Sequence, residues 1–311
     1  MELNKLTRLL TPILIEGVLS ARRSSYDRLI EKINLLEFVT NSVVVTTNEI
    51  VIELQILDLD LLYQLLAGEA NQFLLASRVT YDRATQGQQE NASWQIVEHY
   101  YAAYYAIHYL IRLTGVSLTN LDSSASQRIK SCYFGTQPIA DVPTGLYTLT
   151  YSHSTHTLTL KKNIKKKAGG SHQDAWQLWE NLIDKLSARS NLDPAEYANE
   201  SLDLVVHRKF LVKSTGKFNP PDIRGEINYQ FKGSSWIFEK SATASIRNIQ
   251  LLISDSTSFQ PLSSPTVEGL ISNNKLIIAL AKSIFLHSSE KYPKSICRSL
   301  SNKFRQYLAK P

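Results

Sequence analysis

The stretch EHYYAAYYAIHYL, residues 98–110, holds five of the chain's fifteen tyrosines and two of its seven histidines. At about 100° per residue on a helix, Tyr101, Tyr105, His108 and Arg112 form one stripe at i, i+4, i+7 and i+11, with Glu98 at its N-terminal end. A buried tyrosine hides its ring and still needs a partner for its hydroxyl. Such a stripe has two uses. It can seam the helix to another helix, or to a second copy of the chain, through those hydroxyls. It can also wall a pocket for a nucleotide or an RNA base, with the rings stacking and Arg112 meeting phosphate. The run Lys161, Lys162, Lys165, Lys166 and Lys167, followed by Ala168-Gly169-Gly170, offers further phosphate contacts. As a backbone contact it would bring affinity without sequence specificity; as a solvated loop tip it would bring neither. Phe210, Phe218 and Phe231 lie near Arg208, Lys209, Lys213 and Lys217 and add a basic-aromatic segment.

Other chemistries lack their residues. His153 and His156, with His172 downstream, have no cysteine or paired carboxylate at metal-ligand spacing, so the pair reads as exposed histidines flanking a hairpin turn and no metal or cofactor is expected. Ser214-Thr-Gly-Lys217 lacks the upstream glycine and the spacing of a phosphate-binding loop, and neither GxGxxG nor GxSxG occurs.

The elements that position these side chains follow from period and punctuation. Residues 4–36 alternate apolar and charged positions at helical spacing, with a break near Ser24. Ser42 to Leu57 is rich in β-branched residues around Thr47-Asn48 and predicts a hairpin. Helical period returns from Leu57. The polar segment Thr85 to Ser93 reads as a loop and a domain boundary, separating a small N-terminal α/β region at 1–88 from a helical bundle at 89–311. The Tyr-rich helix runs from an N-cap at Ser93 to about Thr114 and stops at Gly115. Its other face, Ile96, Tyr100, Ala103, Ile107, Leu110 and Ile111, is core. Residues 116–144 are mixed. Residues 145–162 alternate strictly and predict a second hairpin, inserted among helices. An amphipathic helix begins at Asp174, another opens at Asp193-Pro194, and Pro220-Pro221 closes a loop before a helix capped by Asp222. The chain is helical again from Pro265. The fold class is therefore α+β, mainly α.

A helix of the form polar-x-YYAAYYA-x-H-x-L resembles the second helix of the HEPN superfamily (higher eukaryotes and prokaryotes nucleotide-binding). These are helical-bundle domains common in bacterial toxin–antitoxin, CRISPR and phage-defence proteins. Catalytic members carry an Arg, four to six spacer residues and a His on a later helix, and cleave RNA without metal, usually as dimers. Arg224-Gly225-Glu-Ile-Asn228-Tyr229 stands at a comparable place, with Tyr229 where the family has His, and the likeness covers about half the chain. It implies Arg224, Asn228, Tyr229 and a borrowed His108 as catalytic candidates. Arg224 would clamp a phosphate with its planar fork, Asn228 would bond phosphate or base, and Tyr229 would stack or donate. A phenol titrating near pH ~10 is a poor base at neutrality, so the set favours binding over catalysis. Equally, Arg224 and Asn228 can tie the preceding loop to the bundle. Three functions stay open: a component of a defence or toxin-type system that engages RNA more readily than DNA, a metal-independent endoribonuclease, and a scaffold or adaptor subunit. A homodimer or a larger complex is expected.

Bulk composition fits a globular chain of 311 residues with 43% hydrophobic and 20% charged content. A net charge of +6 and a sequence pI near 9.1 permit nucleic acid without requiring it. Cys132 and Cys297 form no CxxC pattern and suit a reducing compartment. Charges interrupt the N-terminal apolar run, and Leu276 to Leu286 is short for a bilayer and contains Lys282, so a cytoplasmic protein without a membrane partner is expected.

Overall fold

A computed structural model describes residues 2–22, 28–86, 91–136, 138–164, 170–240, 242–255 and 259–308. It is α+β and mainly α. In chain order, α1 (Leu3–Leu10) and α2 (Glu16–Ser20) precede β1 (Phe38–Val45) and β2 (Glu49–Ile56). The long helices α3 (Leu59–Gln86) and α4 (Ser93–Leu113) follow, then β3 (Val116–Leu121) and α5 (Ser123–Ser131). Next come β4 (Gly145–Ser152), β5 (Thr157–Asn163), α6 (Gly170–Ser190) and α7 (Pro194–Leu211). The chain finishes with α8 (Asn219–Gln230), α9 (Ala242–Ser254), α10 (Val267–Lys291), α11 (Ile296–Lys303) and α12 (Arg305–Leu308).

Both expected hairpins form, but neither stands apart. The strands make one antiparallel sheet in the order β1-β2-β5-β4-β3. Ile52 pairs with Leu160 and Leu54 with Leu158, which lines up the buried positions of the two hairpins on one face. The hairpin at 145–162 is thus the middle of a sheet and not an insertion. The same pairing crosses the boundary expected at 88, and α3 packs along α4 across it, so the two sides share one core. Strand β3 lies where the sequence looked mixed. Gly115, at φ 78°, reverses the chain out of α4, and Val116 to Leu121 then pairs with β4. Its Ser117, Thr119 and Asn120 dilute the alternation that marks a strand.

Helix α4 is the axis of the molecule, packed by α3, α10, α6, α8 and α9. Its predicted core face is buried throughout. The N-cap is Ala92, not Ser93; the Ser93 hydroxyl is instead buried against the Ser235 hydroxyl at 3.0 Å. Helix α8 also starts earlier than expected. Pro220 and Pro221 occupy its first turn, where a missing N–H costs nothing, and Asn219 donates to the Phe210 carbonyl at 2.5 Å. Asp222 therefore caps nothing and pairs with Lys213 at 2.6 Å. Helix α10, at 25 residues, extends well beyond its apolar run; it is long and apolar enough to cross a bilayer, and 83% of its most apolar window is buried inside the fold.

Candidate nucleic-acid interface

The Tyr-rich helix keeps appreciable exposure only at Trp94, Glu98, Tyr101 and Tyr105. Those positions repeat at i, i+4, i+7 and i+11, so the polar stripe is open at its N-terminal half. Its continuation, His108 and Arg112, is covered by Glu69 and Phe73 of α3 and by Leu118 of β3. The two halves do different things.

At the open half, α8 delivers Arg224 onto the tyrosines. Its Nη2 donates to the Tyr101 hydroxyl at 2.9 Å and lies 3.4 Å from His172 Nε2. The guanidinium sits 5.6 Å from the Tyr100 ring centroid, 5.4 Å from that of Tyr101 and 5.9 Å from that of Tyr229. This is a cation held among three aromatic rings. Arg224 Nε has no protein partner, so the fork is not saturated. Tyr229 is 70% exposed beside it, and Asn228 is half-buried on α8.

His172 is a half-buried member of the first turn of α6. The Tyr100 hydroxyl takes a hydrogen bond from Trp176 Nε1 at 3.1 Å and lies 2.9 Å from His172 Nδ1. With Arg224 donating to Nε2, the network is satisfied when Nδ1 carries the proton and donates to Tyr100. Burial and the neighbouring Arg224 both push the His172 pKa down, so the ring is neutral with its Nε2 lone pair facing the guanidinium. Arg224 and His172, 52 positions apart in sequence, are brought together by α8 and α6. The Gly169-Gly170 pair just ahead of His172 is the sequence signal that a new element starts near it.

His108 does not take this position. It lies further along α4, separated from His172 by Tyr104, whose ring centroid is 4.6 Å from His108 and 4.5 Å from His172. Arg112 Nη1 donates to His108 Nδ1 at 2.9 Å. Burial, Arg112 and His172 hold its pKa well below the usual range, so it is a neutral ring whose lone pair is occupied. A general base needs that lone pair. Arg112 is itself 1% exposed, ion-paired with Glu69 at 2.9 Å and stacked over Phe73 at 4.2 Å. It is built into the α3–α4 seam, which corrects its reading as an open phosphate ligand. Tyr105 rests half-buried beside Phe73, 6.2 Å between centroids.

A cleft of about 580 Å³ opens over this covered half, lined by Glu69, Phe73, Tyr104, His108 and Arg112. A second, of about 570 Å³, holds Tyr147, Lys161 and Lys162. Leu118 and Leu146 border both, so the two adjoin. The lysines are partly committed: Lys161 pairs with Glu49 at 2.7 Å, and Lys162 donates to the Thr144 carbonyl at 2.7 Å. Lys165, Lys166 and Lys167 lie outside the described residues. The basic-aromatic segment dissolves on folding. Phe210 and Phe218 are core, Arg208 pairs with Asp184 at 2.7 Å, and only Phe231 is exposed. Phe231 instead joins Trp236 and Phe238 in a surface cluster, tied to α8 by Trp236 Nε1 donating to the Ile227 carbonyl at 2.9 Å.

His153 and His156 flank the β4–β5 turn, bonded to Tyr63 at 2.9 Å and Tyr151 at 3.2 Å, and no group of three or more metal-binding side chains converges among the described residues. Comparison with family models, with curated proteins and with solved structures returned no match.

Proposed function

We propose that the chain engages RNA, as a HEPN-like component of a bacterial defence or toxin-type system that works as a dimer or within a larger complex. The observation that carries this reading is the seat of Arg224 on Tyr101, beside His172. A partly exposed guanidinium framed by aromatic rings suits a phosphate flanked by unstacked bases. The exposed Tyr229 supplies a further stacking face beside it, and Phe231 and Phe238 are exposed just beyond the end of α8. The system and the assembly rest on the likeness of the Tyr-rich helix and the Arg224 motif to that superfamily. Fluorescence anisotropy with a labelled single-stranded RNA tests the binding. Arg224→Ala should weaken it about tenfold or more and lower the salt slope by about one. Charge reversal at Lys165, Lys166 and Lys167 should weaken it further. Unchanged affinity in folded Arg224→Ala removes the reading.

A second reading, a metal-independent endoribonuclease, is favoured by the neutral His172. With Arg224 turned from His172 Nε2 onto the phosphate, that lone pair would take the 2′-hydroxyl proton as the oxygen attacks phosphorus to close a 2′,3′-cyclic phosphate, and the 5′-oxygen would leave as an alcohol with a proton from water. Arg224 would meet the phosphorane charge. Cleavage in EDTA that is lost in both His172→Gln and Arg224→Ala supports it. No cleavage, or cleavage that survives Arg224→Ala, excludes it.

A further inference from the structure

Phe231 and Phe238 are 51% and 67% exposed, and the seat of Arg224 on Tyr101 does not need them. The loop that follows α8 is built to hold them out. Phe231 (φ 52°) and Ser234 (φ 51°) take up the left-handed backbone that residues other than glycine rarely adopt. The Glu239 carboxylate accepts the main-chain N–H groups of Ser234, Ser235 and Trp236 at 2.8, 2.9 and 2.9 Å. Ser235 is wholly buried, and its carbonyl takes the Ala92 N–H at 2.9 Å, which fastens the loop to the start of α4. Trp236 then lies edge-on to Trp94 of α4, 6.3 Å between centroids, and edge-on to Phe231 at 5.4 Å. Its other neighbour, Phe238, stacks with it at 5.6 Å. A strained loop tied at so many points, with its rings left in water, marks a contact surface.

We propose that this surface stacks unpaired bases of the same RNA strand whose phosphate Arg224 holds, an inference that rests on the RNA reading and extends it. Position supports it. The Tyr229 ring lies 5.9 Å from the Arg224 guanidinium, and Phe231 follows two residues later as the C-cap of α8. Seven residues at helical rise set Phe231 about 10 Å beyond Arg224 along the helix. At the ~3.4 Å spacing of stacked bases that is about three nucleotides of one strand. Composition supports it as well. The exposed large side chains between Tyr229 and Phe238 are three rings against one aliphatic, Ile237. Exposed Lys232 and Lys240 stand among them, while the loop's own acid, Glu239, is taken up by main-chain N–H groups. Rings interleaved with cations suit a strand that offers a π-face and a phosphate at every step. Stacking of this kind reads no base. It selects unpaired strands over duplexes, whose bases are already stacked inside.

Anisotropy with a labelled twelve-nucleotide oligouridine, and with an abasic strand of equal length and charge, tests it on the full chain. Wild type should bind the uridine strand at least about tenfold more tightly than the abasic one. The double variant Phe231→Asn, Phe238→Ser keeps a residue that tolerates the left-handed backbone at 231 and leaves the anchors at 235, 236 and 239 in place. Folded by circular dichroism, it should bind the uridine strand about as weakly as wild type binds the abasic one. Its salt slope should not change, because no charge is removed. A second readout needs no variant. Trp176 and Trp179 are wholly buried, so quenching of tryptophan fluorescence by the uridine strand reports on Trp94 and Trp236. Equal affinity of wild type for both strands, absence of quenching, or undiminished binding in the folded double variant overturns the inference and leaves the RNA reading standing. Failure of wild type to bind the uridine strand, or unchanged binding in folded Arg224→Ala, removes that reading and the inference with it. A double variant that binds RNA normally but no longer sediments with phosphatidylserine–phosphatidylcholine vesicles, or no longer self-associates, would give the surface to a bilayer or a protein and overturn the proposal.

Discussion

Removing Glu69 should cost the fold far more than removing Glu69 and Arg112 together. Arg112 is 1% exposed, and its guanidinium is held by His108 Nδ1 at 2.9 Å, the His108 carbonyl at 3.0 Å and Glu69 at 2.9 Å. Glu69 is the only one of these partners that carries a countercharge. Glu69→Leu therefore leaves a buried cation uncompensated, a change that costs about 3–5 kcal/mol. Arg112→Met strands the Glu69 carboxylate in the same way and also leaves His108 Nδ1 without its donor, which adds about 1–3 kcal/mol. Glu69→Leu with Arg112→Met replaces both charges by apolar groups of similar volume. That exchange is close to neutral, so only the His108 cost of about 1–3 kcal/mol remains. The four proteins should therefore show a coupling energy of several kcal/mol in a double-mutant cycle, read from urea midpoints by circular dichroism. The folded double variant should also bind single-stranded RNA within about twofold of wild type, because Arg112 is a structural cation. Single variants that each cost under about 1 kcal/mol, or costs that simply add in the double, refute the energetic reasoning. A tenfold loss of RNA affinity in the folded double variant would restore Arg112 as a phosphate ligand.

Acid should destabilise the protein before most carboxylates titrate. Burial holds the His207 imidazole down to about 4 and His99 to about 3, while an unfolded histidine titrates near 6.5. The stability these neutral rings contribute is full above about pH 6.5 and is lost as pH falls, by roughly 3 kcal/mol for His207 alone by pH 4; urea midpoints that stay flat from pH 7.5 to 5 would contradict this. Gly115→Ala should cost about 1–3 kcal/mol, since φ is 78° and the new Cβ would meet Ile15 Cδ1 at 2.7 Å and the Tyr151 carbonyl at 3.1 Å. A neutral result in the same unfolding assay would mean that the α4–β3 turn relaxes freely. Cys297 is buried with its thiol pushed up to about 12, and Cys132 is buried as well, so an aromatic disulfide reagent should label neither in the native protein and both in urea. Fast native labelling would show that the core around α11 opens.

What the sequence made legible was local. β-Branched content marked the first hairpin and strict alternation the second, Asp193-Pro194 marked the start of α7, and helical period picked out the core face of α4 without error. Where packing decided the outcome, the same signals fell short. Pro220-Pro221 reads as a breaker, yet the first helical turn tolerates both, so α8 starts at Asn219 and Arg224 lies in its second turn instead of its first. The pairing of Ile52 with Leu160 joins residues more than a hundred positions apart, and no turn between them announces it. Periodicity assigned Tyr101, Tyr105, His108 and Arg112 to one stripe, and they do share it. Spacing on one helix, however, says which side chains align and nothing about what covers them. A neighbouring helix and a strand bury the last two as an ion-paired seam, while the first two stay half-open. The same limit explains His172. Its neighbours in sequence are glycines and a serine; its partners in space are Tyr100, Tyr104 and Arg224, each contributed by another helix. The chemistry read along α4 thus depends on which of its two halves a partner can reach. Tyr101 and Arg224 are reachable, so a substitution there should alter binding before it alters folding. Arg112 and His108 are almost wholly buried in the floor of their cleft, and there the order should reverse.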